Sequence, residues 1–205
     1  MSNTDRRISN AEFSRSIADV VWQVSRAQST RSFESFFSAP AQQSGSLPGD
    51  GGAVLGHMVV AIIIQGEGFR LTLKAHADLG PLREVCAKVC GLEEAQLDEL
   101  RIRDCVREYM NILAGVIQSE FSKVNLESRL SIPISTRGFD ELFFGRPSTP
   151  IQYQDSWWLN WQGGGKMILS AFIEFIDLAL AEPLLKYDPN APDEDLFELL
   201  AKQGG

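Results

Sequence analysis

The sequence predicts an α/β protein in which a largely antiparallel sheet is covered by long helices. Three observations carry that expectation. Residues 53–65 and 69–73 read as two strands around a Gly-Glu-Gly turn. Residues 151–161 and 167–177 read as a second hairpin around three glycines. Long helical periods begin at Ala11 and run through 96–125. Strands joined by hairpins are antiparallel, and a helix with one wide apolar face needs a surface to cover.

The elements follow in chain order. Residues 1–10 are polar and are expected to form a disordered arm. Phe13, Ile17, Val20, Val21 and Val24 recur at three- and four-residue steps, which makes one buried stripe, and Asn10 or Ser9 can cap its start. Residues 38–52 (SAPAQQSGSLPGDGG) are rich in Pro, Gly and Ser and read as a flexible loop. Residues 53–65 are apolar and β-branched, as in a strand buried on both faces or nearly so. Phe69, Leu71 and Leu73 alternate with Arg70, Thr72 and Lys74 in a half-buried partner strand.

Residues 79–91 form a short helix, with Pro81 in its first turn and Gly91 as its C-terminal cap. Residues 96–125 hold the longest helix pattern, and 127–137 read as a strand that Pro133 places at an edge or a bulge. A loop at 138–150 leads to the second hairpin. There Tyr153, Asp155, Trp157, Leu159 and Trp161 share a face expected in the core, while Trp158 points away toward an interface. One domain is expected over 11–182. An acidic tail follows over 183–205, with a short docking-helix candidate, DEDLFELLAK.

Composition narrows the function classes. The chain has 205 residues, and 19 basic against 27 acidic side chains give a net charge of −8. Without a block of Lys or Arg, neither nucleic acid nor an anionic membrane is an expected partner. No run of 18 apolar residues is present, and the polar start lacks an apolar signal core, so a cytoplasmic protein is expected. Cys86, Cys90 and Cys105, with His57 and His76, match no standard zinc spacing. The cysteines are expected as small buried hydrophobes, with Cys105 away from the other two, and no metal site is expected. Gly163-Gly164-Gly165-Lys166 lacks the spacing of a phosphate loop and precedes a strand.

The long helix carries the chemical signal. At ~100° per residue, Asp104, Glu108, Asn111, Gly115, Gln118 and Ser122 fall on one narrow line. Ile102, Val106, Tyr109, Met110, Leu113, Val116, Ile117, Phe121 and Val124 fall opposite; Glu120 lies among them, which points to a helix end or local exposure. Arg101 and Arg107 flank the polar line. A plain solvent face carries Lys–Glu pairs rather than two acids, two amides and a glycine. Gly115 costs about 1 kcal/mol inside a helix, and its bare surface lets another chain come close.

Asp104-x3-Glu108-x2-Asn111 resembles the Asp/Ser-x3-Glu-x2-Asn motif of the CheC/CheX/FliY phosphatases, which hydrolyse phospho-CheY in bacterial chemotaxis. REYMNILAGVIQSEF at 107–121 looks like the CheX version, and LSIPISTRG at 130–138 is similar to the strand that follows it. The hairpin 58–73 and helix 81–90 follow the family's order of elements. Val116 departs from the Asn that relatives often carry after the glycine. The first helix has no Glu-x2-Asn, so a single site is expected, as in CheX.

The resemblance implies a CheC/CheX-like layered fold and hydrolysis of the aspartyl phosphate of a CheY-type response regulator. Glu108 and Asn111 would be catalytic: Asn111 positions the attacking water, and Glu108 pairs with the regulator's active-site Lys. Asp104, Gly115, Arg101, Arg107 and Gln118 would contact the partner. No cofactor of its own is implied, because the phosphorylated receiver supplies Mg²⁺. A homodimer is permitted. The alternative is a non-catalytic adaptor of the same fold, binding a receiver domain or a flagellar-switch component.

Overall fold

In the computed structural model of the chain, the residues described are 9–46, 58–137 and 152–188. Helix α1 spans Asn10–Phe37. Ser9 caps it: its hydroxyl accepts from Glu12 N–H at 3.2 Å, and the Glu12 carboxylate accepts from Ser9 N–H at 3.0 Å. Ile17, Val21 and Val24 are buried as the periodicity predicts, and the burial continues through Phe33 and Phe37. Between them the inward positions are Ser25, Gln28, Ser29 and Ser32. Small polar residues serve in a core when their own turn satisfies them, as when Ser29 Oγ donates to the Arg26 carbonyl at 2.7 Å. At 28 residues α1 is longer than the 24-residue helix at Glu99–Ser122, so 96–125 does not hold the longest helix.

Ser38 ends α1 in the left-handed conformation at φ 51°, and the chain re-enters as strand β1, Ala41–Ser46. That corrects the first part of the loop expected at 38–52. The segment is an edge strand with polar side chains, so it shows no apolar alternation. Its side chains bond locally instead: Gln43 Nε2 donates to Thr30 Oγ1 at 2.7 Å, and Asn160 Nδ2 donates to Ser44 Oγ at 2.7 Å. Residues 47–57, including His57 and the first part of the strand expected at 53–65, lie outside the described residues.

Strands β2 (Met58–Gly66) and β3 (Phe69–Ala77) form the first hairpin. Helix α2 is Leu79–Cys90, closed by Gly91 at φ 63°, and helix α3 is Glu99–Ser122. Strands β4 (Ser128–Leu130) and β5 (Ile134–Arg137) follow, then β6 (Gln152–Trp161) and β7 (Gly165–Phe175). In the second hairpin Gly163 and Gly164 hold φ of 100° and 82°. Gly165 has no room for a side chain, because a Cβ there would lie 2.0 Å from the Trp161 ring.

Among the described residues the strands make one sheet in the order β1-β6-β7-β3-β2-β4, with β5 also on β2, and every pairing is antiparallel. Its inner face is built in rows. Ile64, Leu71, Ile173 and Tyr153 stand in register, as do Val60, Ala75, Leu169 and Trp157. The three helices cover that face: α3 packs on β2 and β3, and α1 on β6 and β7. Trp157, Leu159 and Trp161 are buried there, and Trp157 Nε1 donates to Ser29 Oγ at 3.2 Å. Trp158 is half-buried on the outer face, with Lys166 Nζ 4.8 Å from its ring centroid.

The packed chain continues past residue 182. A short helical turn at Leu178–Ala181 runs into a tighter one at Glu182–Lys186, and Leu184 is completely buried. Tyr187 then donates its hydroxyl to Glu120 Oε2 at 2.8 Å. Gln28 and Lys123 also bond Glu120, so this residue on the apolar side of α3 is held in a polar cluster rather than exposed. Burial and the Glu120 contact push the Tyr187 hydroxyl up to about 12. The 138–150 loop and the DEDLFELLAK helix candidate lie outside the described residues.

Candidate functional site

Helix α3 is a rod held along one side. Asp98 caps it by accepting from Arg101 N–H at 2.8 Å. Ile102, Val106, Tyr109, Met110, Leu113, Ile117 and Phe121 are buried beneath it, while Val116 and Val124 are half-buried. Tyr109 crosses to α1, donating to the Ser29 carbonyl at 3.0 Å, and full burial pushes its hydroxyl pKa up. With the apolar side fixed, helical geometry turns Asp104, Glu108 and Asn111 outward, and all three are exposed.

The opposite wall comes from the edge of the sheet. Strands β4 and β5 both pair with β2, one after the other. Between them Ser131 N–H bonds the Ile63 carbonyl at 2.9 Å, and Ser131 Oγ accepts from Ile63 N–H at 3.0 Å. The hydroxyl thus replaces the backbone acceptor lost where the chain leaves the ladder. Pro133 fits that break because it has no N–H to leave unpaired. Ile132 is 78% exposed beside it.

Together these elements line an open groove of about 490 Å³, formed by Asp104, Arg107, Glu108, Asn111, Ser131, Ile132 and Pro133. Two side chains tie its walls together. Arg103 donates to the Thr136 carbonyl at 3.3 Å at one end, and Gln118 Nε2 donates to the Ser128 carbonyl at the other. Glu108 and Asn111 lie between the ties, and neither makes a side-chain hydrogen bond or ion pair among the described residues. An unengaged acid and amide on a fixed helix can bond a group that enters from outside.

The other expected site residues divide. Asp104 and Arg107 form an exposed pair at 3.3 Å, a geometry worth little to stability. Arg101 is exposed near the start of α3. Gly115 opens on free space, since a Cβ added there meets nothing within 4 Å. Gln118 is committed to Ser128, so it shapes the groove from inside the protein. Ser131, Ile132 and Pro133 were not expected at the site; their one signal in the sequence is the proline that interrupts a strand.

The cysteines differ from expectation. Cys105 is not remote: its Sγ lies 3.4 Å from that of Cys90, and Cys90 is exposed. Cys90 and Cys105, 15 residues apart, meet here because α2 and α3 pack together. His76 is buried on β3. Among the described residues no group of His, Cys, Asp and Glu is arranged to hold a metal ion, and no helix is long and apolar enough to cross a membrane.

No family model matches this sequence, and no curated protein does. The architecture is nevertheless specific: the chain has the layered α/β fold of the CheX, CheC-like and FliY proteins. A CheX from Vibrio vulnificus superposes with a TM-score of 0.61 at 14% identity, covering 75% of this chain and 99% of that one. FliY from Thermotoga maritima matches with a TM-score of 0.55 at 13% identity, over 88% of this chain and 97% of that one. The CheX of Borrelia burgdorferi, solved in complex with CheY, BeF₃ and Mg²⁺, matches with a TM-score of 0.54 at 12% identity, over 80% of this chain and 99% of that one.

Proposed function

We propose that this chain is a CheX-like phosphatase that hydrolyses the aspartyl phosphate of a CheY-type response regulator. One observation supports the reading above all: Glu108 and Asn111 face outward, without partners, into a groove that a second protein can enter. A CheX of this fold solved in complex with CheY supports a partner of that kind.

In this reaction a water oxygen attacks phosphorus, the bond to the aspartyl oxygen breaks, and inorganic phosphate leaves a free carboxylate. Asn111 can accept a hydrogen bond from that water through its carbonyl and donate through its amine, which fixes the line of attack. Glu108 pairs with the receiver's active-site Lys in a charge-assisted contact, setting the register of docking. Mg²⁺ belongs to the receiver, so this chain supplies positioning alone. Asp104, Arg107 and Arg101 meet the receiver's rim, Gly115 lets its backbone approach, and Gln118 acts through the placement of β4.

The test is to mix the protein with phosphorylated receivers encoded in the same genome and follow phosphate release and binding together. Asn111→Ala should keep binding and lose most of the acceleration; Glu108→Ala should lose both. Undiminished phosphate release by Asn111→Ala refutes the assignment. Binding by the native chain with no acceleration establishes the adaptor reading instead.

A further inference from the structure

The three cysteines lie away from the groove, where α2 packs on α3. Cys90 is the last residue of α2, and the chain turns immediately after it at Gly91. Its sulfur sits 3.4 Å from that of Cys105. A disulfide needs ~2.05 Å, so about 1.3 Å of closure is required. An exposed residue at a helix end can supply that by rotating its side chain, whereas Cys86 lies within the helix and is completely buried.

The surroundings also activate one sulfur. Cys90 and Cys105 share a hydrogen bond between their sulfurs, and hydrogen bonding from the neighbouring Cys86 and Cys90 thiols holds the Cys105 thiol below the usual range, against the opposing effects of burial and the neighbouring Asp104. Cys105 itself is 7% exposed, but exposed Cys90 stands beside it and marks an approach for a small oxidant.

We propose that Cys90 and Cys105 form a peroxide-reactive dithiol whose oxidised state is a disulfide between α2 and α3. The Cys105 thiolate attacks one oxygen of a hydroperoxide and breaks the O–O bond. The leaving oxygen takes a proton, and Cys105 becomes a sulfenic acid. Cys90 then gives up its proton and attacks that sulfur; the S–O bond breaks and water leaves. The two sulfurs lose two electrons, which the peroxide oxygens gain. Cys86 acts by hydrogen bonding and is not itself oxidised. The new bond joins α2 to α3 beside Asp104 and three residues before Glu108, so it bears directly on the helix that carries the polar line.

This inference is independent of the phosphatase reading. The reduced full-length chain is treated with hydrogen peroxide, unfolded, alkylated at its remaining thiols and digested for peptide mass mapping. The expected product is an intramolecular Cys90–Cys105 link with Cys86 alkylated, a loss of two hydrogens from the intact mass, and reversal by dithiothreitol. Cys90→Ser should lose the link and leave a sulfenic acid on Cys105 that dimedone captures. Cys86→Ala, confirmed folded by circular dichroism, should still form the link, several-fold more slowly. A link that includes Cys86, links only between molecules, or three alkylated cysteines after peroxide overturns the proposal. An unchanged rate in Cys86→Ala removes Cys86 from it.

Discussion

Asp155 shows how much one residue can hold. It projects from the core face of β6, and Arg26 on α1 grips it with two bonds, Nε to Oδ2 at 2.6 Å and Nη2 to Oδ1 at 2.8 Å. The Arg26 guanidinium also lies 5.1 Å from the Trp157 ring centroid. The carboxylate is only 14% exposed, so removing its charge strands a cation in a poorly solvated place. Asp155→Asn should therefore cost on the order of 3 kcal/mol, measured by urea denaturation. A change within a few tenths would show the pair to be ornamental. Asp155 was legible as one position on an otherwise apolar strand face, but its partner was not. Arg26 is 129 residues away in the chain, and no local pattern links the two.

At the scale of elements, a clean apolar stripe makes a helix legible, whereas a polar interior hides its full extent. The side of α3 that is buried is the side that periodicity assigns, because Ile, Leu, Met and Phe recur there at helical spacing. The apolar stripe of α1 ends at Val24, where small polar residues take the inward positions; the Ser29 hydroxyl bonds within the helix, so burial there leaves no apolar trace. β1 is hidden for a related reason: an edge strand can be satisfied by backbone pairing and local polar contacts. Gly115 yields a prediction at this scale. Its position is open and its helix is otherwise well formed, so Gly115→Ala should stabilise the protein by about 0.5–1 kcal/mol, seen as a higher Tm. Gly115→Phe should leave the fold intact and weaken association with the proposed receiver partner. A lower Tm in the alanine variant would mean that the bare backbone there serves the fold itself.

For the whole molecule, the decisive pairing is β3 with β7. It runs in register from Phe69–Phe175 to Ala77–Met167 and joins the two hairpins into one sheet. α1 packs on α3, α2, β6, β7 and the turn at Glu182–Lys186, so it bridges the parts that the hairpins leave separate. The four tryptophans, Trp22, Trp157, Trp158 and Trp161, all belong to α1 and β6. Their fluorescence therefore reports one end of the sheet, whereas far-ultraviolet circular dichroism reports every helix. The two signals should share a single midpoint in denaturant, as one cooperative unit requires. Separate midpoints would show that the β2–β3–α3 half opens independently.

Periodicity in the chain was enough to specify the α/β class, both hairpins, the capped helices and the outward direction of Asp104, Glu108 and Asn111, because each depends on side chains a few residues apart. The groove was a different matter. Its second wall, Ser131–Pro133, faces α3 only because β4 and β5 share the edge of β2 and are tied back by Gln118 and Arg103. The meeting of Cys90 with Cys105 likewise needed α2 to pack on α3. Contacts of this kind are made by the closing of the sheet and the seating of helices upon it, and local spacing carries no record of them.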